Sequence, residues 1–333
     1  MIRSLLRNDL IYFIPVLVLG TAFALVVPGF GTWGNAGLIL SQAAPLIIIA
    51  LAQMFVLMTG GFDISVGAVA ALVSVVTALA CQQFGFAAAL AAGLLTGVLA
   101  GTINGLNVAV FGVQPVIATL GMLLAGRGLS LLLAPMPVTG LPKQLLEIGY
   151  GSFWGLPISV WIALVLVIIV EILIRRTAWL RAILAVGGSE SAARLNGISV
   201  RTIKLSAYAA TGLLSAFAAI LYTARANSGQ PNLGVGLELD AITAAVIGGV
   251  SLLGGKGRAV GACAGALILA ELANGMSLAD ISPFLQQVIT GTVLIFYAII
   301  LFNNHLFRGF IIRKKKIVIN ENLNGGIVEH SKL

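Results

Sequence analysis

The chain has 333 residues, of which 59% are hydrophobic and 9% charged, with a mean hydropathy of +1.07 and a formal net charge of +8. This excludes an ordinary soluble domain, in which about a quarter of residues are charged, and the long apolar runs lack the alternation of a membrane β-barrel, which leaves helices to satisfy the backbone in hydrocarbon. The basic excess does not describe a nucleic-acid surface either, because Lys and Arg gather beside apolar runs without the regularly interleaved aromatic residues of a single-strand binding surface.

Hydropathy and chain breakers predict an all-α protein, a polytopic transmembrane bundle of about ten helices with both termini cytoplasmic. The first span, Leu10–Pro28, follows Arg3 and Arg7, which hold the N-terminus on the cytoplasmic side. It is longer than the apolar core of a secretory signal, and no small-residue cleavage site follows it, so it is expected to stay in the chain. The second span, Gly37–Thr59, ends at Gly60-Gly61. Next comes Asp63, one of few ionisable residues near membrane depth and thus a functional candidate. Its carboxylate is equally suited to accept orphan N–H groups near Ser65, where the third span, Ser65–Cys81, begins.

The fourth span, Phe86–Val110, carries Gly93, Gly97, Gly101 and Gly105 at intervals of four, a bare stripe against which another helix can come close, as static packing or as a sliding face. Asn104, Asn107, Gln114 and Thr119 bracket the turn into the fifth span, Pro115–Leu133. Such uncharged groups suit a neutral, hydroxyl-rich solute, and they equally suit hydrogen bonds between helices. After the sixth span, Ile158–Ile174, a loop bearing Arg175, Arg176, Arg181, Arg194, Arg201 and Lys204 returns to the cytoplasm, where anionic lipid or a partner subunit is expected to meet it.

Within that loop a short surface helix is predicted. Gly187 and Gly188 break the chain, Ser189 caps, Glu190 complements the positive helix end, Ala192, Ala193, Arg194 and Leu195 follow, and Gly197 terminates. About two turns are too few to be stable alone in water, so the bundle or another protein must hold them. The seventh to tenth spans are Thr202–Ala224, Leu239–Leu253, Ala259–Met276 and Leu285–Phe302. Arg225 lies outside as an exception to the charge rule, Glu238 and Asp240 open the eighth span, and Arg127, Glu171 and Glu271 lie within or near the ends of others. A second glycine stripe, Gly257, Gly261 and Gly265, opens the ninth. Arg308, Arg313, Lys314, Lys315 and Lys316 close a transmembrane domain at 1–316, and 317–333 is expected to be a disordered cytoplasmic tail.

Gly60-Gly61 followed by Val66-Gly67-Ala68 has the spacing of Gly254-Gly255 followed by Val260-Gly261-Ala262, the mark of an internal duplication or of coincidence in a chain rich in these residues. Cys81 and Cys263 fall at opposite ends of their spans, so no disulfide is expected. His305 and His330 offer no constellation for a metal or a nucleophile–base relay. The segment Gly249–Gly257 is not a phosphate loop, since Val250 stands where Gly is required and Gly257 where Ser or Thr is required.

Four runs together resemble the permease family of ribose-type monosaccharide importers, ATP-binding-cassette systems whose relatives carry branched-chain amino acids. They are Gly60-Gly61-Phe62-Asp63-Ile64-Ser65-Val66-Gly67, Asn104-Gly105 with Gln114-Pro115-Val116-Ile117-Ala118-Thr119-Leu120-Gly121, Gly187-Gly188-Ser189-Glu190-Ser191-Ala192-Ala193-Arg194-Leu195-Asn196-Gly197, and Gly236-Leu237-Glu238-Leu239-Asp240-Ala241-Ile242 with Ile247-Gly248-Gly249. The resemblance implies that the Ser189–Gly197 helix is a coupling helix docked in a groove of a separate ATPase, which holds the ATP and Mg, while this chain binds no cofactor or metal and is not an enzyme. Family members usually carry Asn where Ser189 stands, and both residue types cap helices. It further implies a bacterial inner-membrane location, a second permease subunit that is a copy or a relative, and a periplasmic sugar-binding protein. Candidate docking segments for the latter are Pro135–Pro157, with Lys143 and Glu147, and Arg225–Glu238. A sugar-like signalling molecule or a branched-chain amino acid is the alternative cargo. An ion-coupled secondary transporter would place carboxylates near the bilayer midplane, where Asp63 alone is offered, and a membrane enzyme would need a cluster of acids, histidines or metal ligands at one level.

Overall fold

The computed structural model describes residues 9–296 and residue 299, which are helical nearly throughout. The basic group from Arg308 to Lys316, the tail 317–333 and both histidines lie outside the described residues.

A 3-10 turn, Leu10–Phe13, leads into α1 (Ile14–Val26), with Pro15 in its first turn where no N–H is missed. Thr32 accepts a hydrogen bond from Asn35 N at 3.3 Å and so caps α2 (Trp33–Met58), whose second half is almost wholly buried. Helix α3 (Val66–Ala109) has 44 residues, about 66 Å at 1.5 Å per residue, or twice a hydrocarbon core of about 30 Å. It reverses at Gly85, whose φ of 80° and ψ of 178° only glycine adopts readily. The sequence places a gap between Cys81 and Phe86, but the helix continues to this one residue. Thr77 and Gly93, equally spaced about it, meet so closely that a Cβ on Gly93 would lie 2.2 Å from Thr77 Oγ1.

Helix α4 (Pro115–Leu133) is followed by α5 (Lys143–Tyr150), a hairpin of β1 (Ser152–Phe153) and β2 (Leu156–Pro157), and α6 (Ile158–Arg176). Next come α7 (Ala178–Gly188), α8 (Glu190–Leu195), α9 (Val200–Ala226), α10 (Leu237–Ile247) and α11 (Ala259–Leu278). Pro283–Phe296 forms a further apolar helix, α12, in a separate compact unit. Among the described residues, α2, α3, α4, α6, α9 and α11 are long and apolar enough to cross a membrane.

Two predicted elements differ from the structure. The stretch 178–188, expected to be loop, is helix α7. Trp179 Nε1 donates to Ser206 Oγ at 2.7 Å, the Trp179 ring lies 5.6 Å from Phe55, and Leu180, Ile183 and Val186 are buried along one face. The predicted eighth span, Leu239–Leu253, is instead α10, whose 11 residues reach only about 16 Å. The segment before it, 227–236, runs irregularly along α3. Gly229 sits against Ala78, Gln230 N donates to Ser74 Oγ at 3.0 Å, and Gly234 lies against Gly67. Arg127 Nη1 donates to the carbonyls of Pro231 (3.2 Å) and Leu233 (2.8 Å), and Ser130 Oγ donates to Pro231 O (3.0 Å), so backbone groups that hydrocarbon would leave bare find partners.

Helix α9 is the central post. Thr211 Oγ1 donates to Ala52 O of α2 at 2.8 Å. Along α3, a Cβ on Gly97 would lie 2.4 Å from Gly212 O, one on Gly101 2.3 Å from Tyr208 O, and one on Gly105 2.9 Å from Leu205 O. In the second stripe, Gly261 and Gly265 face the carbonyls of Gly248 and Ala244 at 2.1 and 1.9 Å on the same measure, while Gly257 lies against the Met58 side chain. Cys81 and Cys263 are free thiols.

Candidate functional site

Three glycine pairs meet beside α8. Gly60-Gly61 ends α2, Gly187-Gly188 ends α7, and Gly254-Gly255 turns in the loop between α10 and α11. Gly255 N donates to Met58 O at 3.0 Å, and a Cβ on Gly187 would lie 1.8 Å from that same carbonyl. A Cβ on Gly254 would be 2.6 Å from Gly187 O and 3.0 Å from Gly60 N. Gly187 and Gly188 therefore do not break the chain as expected. They remain helical, and the bareness of Gly187 admits two other backbones, whereas a Cβ on Gly188 would meet nothing within 4 Å; the break falls at Ser189, which is extended (φ −166°, ψ 113°).

Helix α8 stands on this junction. Ser189 Oγ accepts from Ala192 N at 3.3 Å, Glu190 pairs with Arg194 at 3.5 Å and with Lys204, and Asn196 Nδ2 donates to Ala192 O at 2.8 Å. Gly197, at φ 76°, ends the helix in the left-handed conformation. Ala193 is buried against Val186 and Val200, which seats the helix, whereas Ala192, Arg194 and Leu195 point away. Leu195 is 89% exposed at the tip. Six residues cannot hold a helix by themselves, so the cap, the ion pairs and the buried Ala193 supply what propagation does not.

A second constellation is buried in the bundle. Asp63 Oδ1 accepts from Ser65 N (2.8 Å) and Ser65 Oγ (2.6 Å), and Asn104 Nδ2 donates to Ser65 Oγ (2.9 Å) and lies 3.4 Å from Asp63 Oδ2. Thr119 Oγ1 accepts from Ile64 N at 3.3 Å, and Tyr208 OH donates to Phe62 O at 3.0 Å. Asp63 is 2% exposed, and Asn104 and Thr119 are fully buried. Three of the polar candidates thus converge on the strand-like segment 61–65, where Asp63 and the Asn104 amide nitrogen are bonded within the cluster and Asn104 Oδ1 is buried without a partner. Gln114 is exposed and Asn107 half-buried, and neither side chain joins the cluster.

The four outer docking candidates separate. Lys143 and Glu147 are exposed on α5, whose Leu145 and Gly149 are buried. Arg225 instead donates to the Ser41 carbonyl of α2, while Tyr150 OH donates to Arg225 O at 2.6 Å. Glu238 lies at the start of α10 beside Gly67, where a Cβ would be 2.5 Å from Glu238 Oε2. The re-entering segment places it in the wall of the bundle near the start of α3, and Asn232, Val235, Leu239 and Asp240 are exposed beside it. Sequence reasoning missed this wall. Its signal is Pro231 with Gly234 and Gly236 immediately before an apolar stretch, the composition of a turn rather than of a span.

The described residues thus form a multi-helix bundle with six helices long and apolar enough to cross a membrane and a capped, partly exposed short helix, α8. The chain belongs to the family described as branched-chain amino acid transport system / permease component, which matches residues 35–298. It is a transport permease and not an enzyme. It is similar to the ribose import permease protein RbsC of Escherichia coli (strain K12), 39% identical over 288 residues that cover 85% of this chain and 90% of that one. The L-arabinose transport system permease protein AraH of the same strain is 38% identical over 290 residues (84% and 85%). RbsC of Bacillus subtilis (strain 168) is 37% identical over 287 residues (85% and 89%). No solved structure matches the chain.

Proposed function

We propose that this chain is the membrane-spanning subunit of an ATP-binding-cassette importer that carries a monosaccharide of the ribose or arabinose kind across the bacterial inner membrane. It binds no cofactor itself; a separate ATPase holds ATP and Mg, a periplasmic binding protein delivers the sugar, and a second permease subunit, a copy or a relative, completes the pathway. Both termini and α8 face the cytoplasm and the chain crosses about ten times, with α3 counted as two crossings and the segment 227–236 with α10 as one. The observation that carries this reading is α8: seated through Ala193 against Val186 and Val200, it presents the exposed Leu195 and Arg194 to a groove on another protein. The wall formed by the segment 227–240, with Asn232 and Asp240 exposed and Glu238 half-buried, offers acceptors and an amide to sugar hydroxyls, whereas the Asp63 cluster is buried.

Co-purification of the ATPase tests the docking role. Arg194→Glu and Leu195→Asp are expected to leave membrane insertion intact and to lower the retained ATPase about tenfold or more, the worth of one buried leucine. An ATPase held at wild-type yield by both variants overturns the reading.

A further inference from the structure

The loop 248–258, between α10 and α11, has two occupied sides. On one side Gly254 and Gly255 press against Gly187 and Gly188, immediately before the cap of α8. On the other side the loop ends in a cluster of charges. Arg258 and Arg175 both donate to the Asp9 carboxylate, and Arg175 Nε donates to Glu171 Oε1 at 2.7 Å. Glu171 Oε2 accepts from Ala259 N at 3.1 Å and lies 3.5 Å from Val260 N, so the same carboxylate holds the first turn of α11. Tyr12 lies over Gly249 and Gly261, where added Cβ atoms would be 3.5 and 3.4 Å from its Cε1. The N-terminal segment, the end of α6 and the start of α11 are therefore tied at one point, and that point is joined to the base of α8 by one short loop.

The side chains of Asp9 and Glu171 are 14% and 12% exposed, whereas Arg175 and Arg258 reach toward solvent at 26% and 39%, and each carboxylate oxygen has a cationic or backbone donor, so the acids are shielded and their geometry is set by several donors at once. We infer that Asp9, Glu171, Arg175 and Arg258 form a strut that passes displacement of the coupling helix to α6 and α11, and that Asp9 and Glu171 are positioning residues for transport. The inference rests on the docking role of α8. A push on Gly187–Ser189 reaches Gly254-Gly255 through backbone contact, and without the strut it would be lost in bending of a glycine-rich loop.

The test uses the assembled transporter in vesicles, with ATP hydrolysis and sugar uptake measured as loaded binding protein is added. Glu171→Gln keeps an acceptor for Ala259 N but no charge for Arg175, and Asp9→Asn weakens both arginine contacts. Both are expected to retain the ATPase, to lower its stimulation by binding protein about fivefold, and to lower uptake in step, while Arg258→Lys keeps most of both. Wild-type stimulation and uptake in both variants overturns the strut. Loss of the ATPase from Arg194→Glu and Leu195→Asp is the separate test of docking, so the two ideas fail independently. If either strut variant is too unstable to purify, Asp9→Cys with Arg258→Cys, in a chain with Cys81→Ala and Cys263→Ala, decides the matter. Joining the two thiols with a short bismaleimide is expected to raise the stimulated hydrolysis of the unjoined variant toward wild type; no recovery on joining counts against the strut.

Discussion

Asp63 is an acidic residue buried in the bundle, where its carboxylate is met by Ser65 and Asn104. Its near partner was legible, because a carboxylate two positions before Ser65 at the start of a span meets free N–H groups. Its far partner was not: Asn104 lies 41 residues on and is brought there by the reversal at Gly85. Truncation by Asn104→Ala leaves Ser65 and the buried carboxylate with one donor fewer, at a cost of about 1–3 kcal/mol. The buried thiol of Cys81 provides the assay, since a thiol-reactive dye reports its exposure on heating. A lower melting temperature with unchanged sugar uptake per folded molecule is expected; an unchanged melting temperature with altered sugar selectivity would instead make Asn104 a pathway residue.

At the scale of elements, the close approach of α3 and α9 depends on Gly97, Gly101 and Gly105 having no side chains. Gly101→Leu drives its Cβ into the Tyr208 carbonyl, and Gly212 blocks retreat at 2.9 Å. Destabilisation of about 3 kcal/mol or more is expected, at the top of the range for overpacking, because backbone and not a flexible side chain must yield. Gly128→Leu on α4 meets nothing within 4 Å and provides the control. Equal thermal stability of the two variants in detergent would refute the close-packing account. Elements were legible where local chemistry decides them: Pro115–Leu133 starts at a proline, and Ser189 and Gly197 bound α8. They were illegible where it does not. The window Leu239–Leu253 is apolar enough for a span, yet the helix there is short and follows irregular backbone whose polar groups are met by Arg127, Ser130, Ser74 and Val138. Helix α7 shows Leu180, Ile183 and Val186 at helical spacing, but its 11 residues are too few for a span and lie among basic residues, so hydropathy does not separate it from the loop.

For the whole molecule, membership of the permease family points to an external motor, and among the described acids of the spans Glu271 on α11 is the one with a buried oxygen, Oε2, that has no partner. Among the described residues Asp63 is already satisfied by Ser65 and Asn104, and Glu171 by Arg175 and the start of α11. Neither is free to carry a coupling proton. Uptake is therefore expected to persist when the proton gradient is collapsed and to stop when ATP is removed, as followed with labelled sugar in vesicles that contain the full transporter. The opposite pattern would favour an ion-coupled carrier.

Composition alone determined the solvent of this chain, and local order determined the starts, caps and approximate positions of most helices, because those depend on transfer free energy and on groups within one turn. Tertiary structure alone decided the reversal at one glycine, the re-entering wall at 227–236, the meeting of Gly60, Gly187 and Gly254 beneath α8, and the joining of Asp9 to Arg258. Each of these brings together residues far apart in sequence, and in hydrocarbon, where every apolar face is equally well solvated, only the fit of backbone to backbone and of donor to acceptor selects which faces meet.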